Sequence, residues 1–256
     1  MTDPESTVVL KLGGSVITEK DQPETLDEAA LGRAVDALVT DRPERLVLVH
    51  GGGSFGHHHA SEHGVSTTVG TTDAAAVTAI HDAMTRLNRA VVERLQAAEI
   101  PAVPIRPLSV ATRGADGTLT FPPEPIQQLL AEGFVPVVHG DVVVHAGTGA
   151  TILSGDTIAA RLGAQLDTDR IGICSSVPGV LDDTGAVIDR ITTLETVADV
   201  LGASDTTDVS GGMAGKVDTL LAAKVTASIF GLDTLAAFLA GERPGTTVRP
   251  PPLEGS

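Results

Sequence analysis

The stretch LVLVHGGGSFG, residues Leu46 to Gly56, decides how this chain is organised. Its four apolar residues, Leu46–Val49, are typical of a buried strand, and the strand leads through His50 into three consecutive glycines. Because glycine has no Cβ, backbone N–H groups there can approach a ligand closely, and N–H groups that converge at a helix start bind anions. The stretch therefore predicts a phosphate site at the end of a strand.

Two alternatives to this interpretation are weaker. Gly51, Gly53 and Gly56 also satisfy the dinucleotide pattern G-x-G-x-x-G, but that pattern needs a second strand and an acidic residue about 20 positions further on. The segment 57–72 is polar and contains no strand pattern, which disfavours a Rossmann oxidoreductase. A glycine-rich turn without a ligand is disfavoured as well, because similar glycine loops recur further along the chain.

Composition and charge exclude several classes of protein. The chain has 256 residues, of which 42% are hydrophobic, so it can bury a substantial core. Its formal net charge of −16 argues against binding nucleic acid or an anionic membrane. A surface this acidic suits a protein that stays soluble in high salt, and we expect a salt-loving source.

The hydropathy of the chain, its first residues and its cysteine content predict a cytoplasmic protein. No run of about 18 apolar residues could span a membrane, and the first residues, MTDPEST, are acidic and polar, unlike a secretory leader. The single cysteine, Cys174, excludes an internal disulfide and a cysteine-cluster metal site. It lies in an apolar run, which predicts a buried, inert thiol.

Apolar periodicity predicts strands that alternate with helices. Strands are predicted at 8–12, 46–49, 102–105, 135–138 and 170–175, helices at 26–40, 73–98, 126–131, 157–162, 194–201 and 217–223, and hairpins at 113–120 and 142–153, with 227–239 closing the fold. This alternation predicts an α/β fold, a three-layer α/β/α sandwich with a mostly parallel central sheet. We expect one domain over 1–248 and a loose, proline-rich tail over 249–256.

The few lysines of the chain mark candidate phosphate contacts. Only four of the 17 basic residues are lysines; Lys11 and Lys20 flank the glycine loop 13–15, and Lys216 ends the glycine-rich segment 208–216. The last segment fails the P-loop pattern G-x-x-x-x-G-K-[ST], because Ser occupies position 210 and Val follows the lysine. It therefore predicts a different kind of phosphate loop.

Two further features leave alternatives open at this point. The stripe Val77, Ile80 and Met84 on the long predicted helix either packs in the core or lines an apolar substrate cavity. Asp156 lies at a helix start, where it either caps the helix or has a role in the site, and the two roles are compatible.

Five motifs together resemble the amino acid kinase family. They are KLGGSVITEK at 11–20, HGGGSFGH at 50–57, VPVVHGDVV at 135–143, SGDTIA at 154–159 and DVSGGMAGK at 208–216. Within the family they are most similar to the members that phosphorylate isopentenyl phosphate. The resemblance implies an ATP- and Mg²⁺-dependent transfer to isopentenyl phosphate in the alternative mevalonate route to isoprenoids, with dimethylallyl phosphate as a second candidate acceptor. It also implies a homodimer, with the acceptor on the N-terminal side and the nucleotide on the C-terminal side.

The resemblance also implies roles for individual residues. Catalytic roles fall on Lys11, Lys20, His57, Asp156 and Lys216, with Asp156 orienting the lysines and His57 meeting the acceptor phosphate. The nucleotide contacts would be Lys11, Leu12, Gly13, Gly14, Ser15, Gly53, Gly179, Gly212 and Lys216, and the acceptor contacts Gly52, His57 and Gly155.

A protein-bound metal is not expected from this sequence. The run His57–His59 offers three imidazoles, but adjacent histidines converge poorly on one ion and no cysteine lies nearby. His58 and His59 therefore have no assigned role.

One loop departs from the family pattern and keeps rival hypotheses open. Where the family usually has T-D-V-D-G-V, residues 175–180 read SSVPGV, so both acidic positions are lost while Gly179 remains. Nucleotide preference cannot be carried over from these side chains. The rivals are a kinase of the same fold for another small phosphate, phosphonate or carboxylate, and a nucleotide-binding regulatory module without catalysis.

Overall fold

Twelve strands and nine helices are seen in the residues that the computed structural model describes, 7–166, 168–197 and 212–249. The strands are β1 Thr7–Leu12, β2 Arg45–His50, β3 Ala102–Ile105, β4 Thr112–Arg113, β5 Leu119–Thr120, β6 Val135–His139, β7 Asp141–His145, β8 Gly149–Leu153, β9 Arg170–Ser175, β10 Arg190–Ile191, β11 Ala227–Gly231 and β12 Thr246–Val248. The helices are α1 Gly14–Ile17, α2 Glu28–Asp41, α3 Gly53–Glu62, α4 Ala74–Ala97, α5 Pro107–Val110, α6 Glu124–Ala131, α7 Gly155–Gln165, α8 Gly212–Ala222 and α9 Leu235–Leu239.

Eight strands form the central sheet, in the order β10-β12-β11-β9-β1-β2-β6-β3. Every neighbouring pair is parallel except β11 and β12. The prediction of a mostly parallel sheet is therefore confirmed. The chain leaves β1 toward β2 on one side and returns to its other side at β9, so the strand order reverses beside β1. In open α/β sheets, ligands bind at such a switch point, beyond the carboxyl ends of the strands.

Hydrophobic cores cover both faces of the sheet. Alternate residues of β1 point to opposite faces. Leu10 and Leu12 join the core formed with α2, α4 and α9, whereas Val9 joins the core formed with α6, α7 and α8. This arrangement gives the three predicted layers. It also directs Lys11, which shares the face of Val9, toward the beginning of α7.

A second sheet of four strands, in the order β5-β4-β7-β8, lies beside the central one. It consists of the two predicted hairpins, 113–120 and 142–153, joined by a parallel pairing of β4 with β7. The sequence predicted each hairpin separately. Their association depends on a contact between distant segments, which local patterns do not encode.

Most predicted elements are found close to their expected bounds. The long helix α4 begins after Asp73, whose carboxylate accepts a hydrogen bond from the Ala75 N–H, as expected of its N-cap. Helix α7 begins two residues earlier than predicted, at Gly155. Cys174 is buried, as predicted, and burial raises the pKa of its thiol to about 12.

Parts of the chain lie outside the described residues. Of the helix predicted at 194–201, the structure describes a 3-10 turn at Glu195–Val197, and residues 198–201 are outside it. Of the predicted tail, only Arg249 is described, and its backbone N–H donates to the carbonyl of Ile191. Among the helices described, none is long and apolar enough to cross a membrane.

Candidate active site

Two glycine loops pack directly on each other at the carboxyl ends of β1 and β2. The strands end side by side, with Leu12 opposite His50. A Cβ added to Gly14 would lie 2.0 Å from the Gly53 nitrogen, and one added to Gly51 would lie 2.6 Å from the Gly14 nitrogen. Gly53 also has a φ of +48°, a conformation that side chains disfavour. These glycines are therefore required for loop packing, in addition to any ligand that their N–H groups bind.

Thr18 fastens the two glycine loops together. Its hydroxyl donates to the Gly14 carbonyl at 2.8 Å and accepts from the Ser54 N–H at 3.0 Å. Helix α3 starts here, at Gly53, and the first N–H groups of a helix have no partner within it. The packed loops thus hold a helix N-terminus, a site that favours anions, at the switch point of the sheet.

Asp156 lies between two lysines from opposite ends of the sequence. Its Oδ1 is 2.9 Å from Lys11 Nζ and its Oδ2 is 3.8 Å from Lys216 Nζ. Lys216 also donates to the Gly212 carbonyl at 3.3 Å, one turn earlier in α8. Lys11 and Asp156 are 4% and 5% exposed, so their charges interact with little screening by water. One carboxylate thus fixes two ammonium groups at the same place.

The cap of α7 is Ser154, so the hypothesis that Asp156 caps this helix is wrong. The Ser154 hydroxyl accepts a hydrogen bond from the Thr157 N–H at 3.1 Å. Asp156 lies in the first turn of the helix, where a negative charge is favoured by the helix dipole. Its side chain is consequently available for the two lysines.

An inner cavity of about 80 Å³ opens between the glycine loops and α7. Its wall includes the apolar side chains of Ala60, Ile80, Met84 and Ile152. Lys11, His57, Asp156 and Lys216 are in the wall as well. Of the predicted stripe on α4, Ile80 and Met84 line the cavity, whereas Val77 packs in a neighbouring core with Ile80. The cavity therefore suits a small ligand with an apolar part and an anionic part.

An outer cleft of about 940 Å³ adjoins the inner cavity. His57, Lys216, Ser15 and Gly53 line both spaces, so they stand where the two meet. Lys20 and Gly212 line the outer cleft only. A ligand in the cleft and another in the cavity would thus meet beside His57 and Lys216.

Beneath the glycine loop, His50 is held in one neutral form. Its Nδ1 is 3.1 Å from the Gly51 carbonyl, which can only accept, so Nδ1 donates; Nε2 then accepts from the Asn88 amide at 3.0 Å. Complete burial, aided by the neighbouring His139, lowers the pKa of His50 to about 3. His50 thus fixes the first peptide of the loop without adding charge.

His139 and His81 continue this buried polar group along the neighbouring strand end. His139 donates from Nδ1 to the Gly140 carbonyl at 2.9 Å, and burial lowers its pKa. His81 Nδ1 donates to the Asp141 carboxylate at 2.9 Å, and this hydrogen bond raises the pKa of His81. Asp141 lines the inner cavity, and His81 of α4 is the group that balances its charge.

The structure brings most of the sequence-predicted site residues together. The inner cavity is lined by Lys11, Gly13, Gly14, Ser15, Gly52, Gly53, His57, Gly155, Asp156 and Lys216. Leu12 and Gly179 are not among the lining residues of either space. The Leu12 side chain is buried in the core, and a Cβ on Gly179 would meet Val187 and Thr246. Residues 208–211 of the last predicted glycine loop lie outside the described residues.

Sequence reasoning did not single out several residues that contribute to the site. Thr18, Asn88 and Asp141 are polar residues that the fold brings to the cavity or its support. The motif VPVVHGDVV contained the one available signal for Asp141, a charged residue directly after a buried strand. For Asn88 no such signal exists, because the role of one polar residue on a helix depends on the residues that pack against it.

Comparisons with known proteins identify the family of this chain. The pattern of the Amino acid kinase family matches residues 6–230. The chain is 57% identical over 245 residues to the isopentenyl phosphate kinase of Haloferax volcanii, which covers 95% of this chain and 99% of that protein. It is 33% identical to the isopentenyl phosphate kinase of Methanocaldococcus jannaschii, over 94% of this chain and 97% of that protein.

A solved structure extends the similarity from sequence to fold. It is described as "X-ray structures of isopentenyl phosphate kinase" and superposes with a TM-score of 0.82 at 28% identity, covering 94% of this chain and 99% of that one. The parallel sheet, the paired glycine loops and the family pattern along most of the chain lead to one assignment. The chain belongs to the amino acid kinase family.

Proposed function

We propose that this protein is an ATP-dependent kinase that phosphorylates isopentenyl phosphate to isopentenyl diphosphate. Relatives that carry the name isopentenyl phosphate kinase align over nearly the whole chain, at 57% and 33% identity. Such a reaction would supply isoprenoid synthesis through the alternative mevalonate route. A kinase of this fold for another acceptor has no comparable support.

The observation that carries the proposal is that apolar side chains and a pair of lysines both line the inner cavity. Ile80 and Met84 are among the apolar side chains, and the ammonium groups of Lys11 and Lys216 both lie beside Asp156. A short hydrocarbon phosphate has the same two parts. A carboxylate substrate such as an amino acid would need polar partners where Ile80 and Met84 lie.

The reaction depends on the positioning of the two substrates more than on proton transfer. The second pKa of a phosphate monoester is near 6, so at pH 7 the acceptor is mostly a dianion and needs no strong general base. An acceptor oxygen attacks the γ-phosphorus, the bond to the oxygen bridging the β- and γ-phosphates breaks, and ADP leaves. Two anions must be held in line while charge shifts between them. Fixed cations and N–H groups serve that purpose.

The geometry suggests a role for each charged group. His57 and Lys216 line both spaces; His57 would contact the acceptor phosphate, and Lys216 would contact the nucleotide phosphates. Lys11 would lie between them. Asp156 would act as a positioning residue, since it contacts both lysines and no proton has to be taken from the acceptor. Lys20, exposed in the outer cleft, would reach the nucleotide.

We further propose that Mg²⁺ accompanies ATP and is held mainly by phosphate oxygens and water. Mg²⁺ usually takes one or two carboxylates in addition to substrate phosphates. Among the described residues that line the cavity, the carboxylates are Asp141 and Asp156, which contact His81 and the lysines. This donor set fits a cation bound through its nucleotide, which would neutralise charge on the phosphates.

The family resemblance further supports a homodimer that works in the cytoplasm. Light scattering coupled to size-exclusion chromatography would determine the assembly state. A mass of one chain, about half the expected value, would contradict the dimer.

The proposed function is tested by measuring ADP release with Mg-ATP and isopentenyl phosphate in high salt. Parallel wells contain dimethylallyl phosphate, UMP, glutamate, carbamate or fosfomycin as the acceptor. We expect turnover with isopentenyl phosphate, and with dimethylallyl phosphate if the cavity accepts the isomer.

Turnover with UMP, glutamate, carbamate or fosfomycin instead would identify a different kinase of the same fold. Retained ATP binding without turnover of any acceptor would favour a regulatory module. The altered loop at 175–180 would then be the first place to look for the cause, because Ser175 and Ser176 line the outer cleft.

A further inference from the structure

The far end of α3 carries three potential metal ligands on one face. They are His59, Glu62 and His63, and their ligand atoms all lie within 4.8 Å of one another. Spacings of three and four residues bring side chains together on a helix surface. The adjacent residues His57 and His58 do not belong to this group. The relevant pattern is therefore 59, 62 and 63, rather than the run of three histidines.

The hydrogen bonds of His59 leave one ring nitrogen directed at this group. His59 Nε2 is 2.6 Å from the Glu24 carboxylate, which can only accept when ionised, so Nε2 donates. In a neutral imidazole the lone pair then lies on Nδ1. Within the described part of the chain, Nδ1 is buried without a hydrogen-bond partner, and Glu62 Oε2 is 3.6 Å away.

Glu24 is itself fixed in place. Arg86, on α4, donates to both of its carboxylate oxygens. A histidine that binds a metal commonly donates its other N–H to a carboxylate, which fixes the ring and raises its basicity. His59, Glu24 and Arg86 form such a chain before any metal is present.

The exposed side chains can complete the coordination. Zinc–nitrogen bonds of 2.0–2.1 Å put tetrahedral ligands about 3.3 Å apart, closer than 4.8 Å. Glu62 and His63 are exposed, so rotation of their side chains can close this gap while His59 stays fixed. A proton or a metal ion can lie between a nitrogen lone pair and a facing carboxylate. If a metal ion binds, two imidazoles with one carboxylate suit zinc rather than magnesium or calcium.

We propose that His59, Glu62 and His63 form a binding site for a divalent transition metal, with zinc as the first candidate and Glu24 as its supporting carboxylate. Water would complete the coordination. The bound ion would join the last turn of α3 to its C-cap residue, His63, and through Glu24 and Arg86 to α4. It would therefore stabilise the helix that carries His57. Glu62 also lines the outer cleft, so metal binding is measured here without nucleotide and separately from turnover.

The test uses the full-length chain without a histidine tag, stripped with a chelator and kept free of nucleotide. Titration calorimetry measures Zn²⁺ binding, and the visible spectrum of Co²⁺ reports tetrahedral nitrogen and oxygen ligands. We expect one ion per chain and a rise in Tm with Zn²⁺. His63→Ala, an exposed change, should abolish binding and the rise in Tm, as should His59→Ala.

Two variants separate this site from general histidine chemistry. His58→Ala removes an adjacent exposed imidazole outside the group, so it should bind Zn²⁺ like the wild type. Glu24→Gln keeps all three ligands but removes the carboxylate behind His59, and it should weaken binding about 10- to 100-fold.

The proposal is overturned if the wild type binds no Zn²⁺, or if His63→Ala binds it as tightly as the wild type. In the first case a proton on His59 Nδ1 would satisfy the two carboxylates instead. An unchanged affinity in Glu24→Gln would overturn the supporting role of that residue.

Discussion

Asp156 holds two lysines at one point, and its charge should matter for folding as well as for turnover. We expect Asp156→Asn, a change of nearly equal size, to remove the carboxylate that the buried Lys11 contacts at 2.9 Å. Breaking a buried ion pair by removing one partner costs about 3–5 kcal/mol of unfolding free energy. Denaturant unfolding should show a loss of that order, and kcat should fall as well.

A matched control for Asp156→Asn is Arg89→Ala, which breaks an exposed pair with Glu93 on α4. Exposed pairs contribute little, so its unfolding midpoint and kcat should match the wild type. Unchanged stability in Asp156→Asn would mean that the Lys11 ammonium group is satisfied without this carboxylate.

His57 and Lys216 are expected to act on different substrates. His57 is exposed, so His57→Ala should fold normally, raise KM for isopentenyl phosphate and lower kcat by about 10²–10³, as for loss of one transition-state donor. Lys216→Ala should raise KM for ATP more than KM for the acceptor. Steady-state kinetics with each substrate varied in turn would measure both, and the opposite pattern would show that the two ends of the site are reversed.

His50 should make stability depend on pH in the acidic range. Its pKa is lowered from 6.5 to about 3 in the folded protein, so between these values the unfolded state binds the extra proton. The contribution of His50 to the free energy of unfolding is thus fully present above about pH 6.5, and it is lost as the pH falls toward 3. Integration from pH 7 to pH 5 gives a loss of about 2 kcal/mol from this group.

His50→Asn provides the comparison, because its amide can still donate to the Gly51 carbonyl but does not titrate. Denaturant unfolding of both proteins at pH 7 and pH 5 should show a smaller loss for the variant. His81 acts in the opposite sense in both proteins, since its raised pKa gives stability that is lost as the pH rises. Equal losses in wild type and variant would contradict the assignment to His50.

At the scale of elements, the contact between the two glycine loops should tolerate no side chain. Gly14→Ala would place a Cβ 2.0 Å from the Gly53 backbone nitrogen, so α1 and α3 would have to separate. We expect a large loss of stability and of activity. Gly32→Ala is the control: it lies within α2, and among the described residues the contact that its Cβ would make is with the Arg94 side chain at 3.5 Å. Alanine there should add about 0.5–1 kcal/mol of stability.

Unfolding midpoints and ADP release for both glycine variants would check this pair. Stability similar to the wild type in Gly14→Ala would show that the two loops can move apart. In that case, the glycine would be explained by ligand contact alone.

The elements themselves were largely predictable because their signals are local. The strand 170–175 was found at its predicted bounds, and the apolar spacing of α4 together with its Asp73 cap gave both ends within one residue. The start of α7 was displaced because Ser154 rather than Asp156 caps the helix. The sequence analysis considered only Asp156 as the cap, because the backbone conformation that makes Ser154 the N-cap is not visible in the sequence.

At the scale of the whole molecule, the residues of the site were easier to predict than its supports. Glycine loops and scarce lysines are visible in sequence, and ten predicted positions line one cavity. The partnership of His50 with Asn88, and of His81 with Asp141, joins segments 38 and 60 residues apart. Such pairs arise from how α4 packs on the sheet, so no local pattern indicates them.

The whole molecule also carries a net charge of −16 with only four lysines, and this should make its stability depend on salt. Like charges repel across the folded surface more than in the expanded unfolded chain, which destabilises the fold at low ionic strength. The screening length falls from about 10 Å at 0.1 M to about 3 Å at 1 M salt, so repulsion should fade over this range. We expect Tm to rise steeply with KCl up to about 1 M.

Sucrose is the control, because it is excluded from protein surfaces but does not screen charge. At equal osmolality it should raise Tm far less. An equal rise in sucrose would mean that general exclusion from the surface, rather than charge repulsion, limits the stability of this fold.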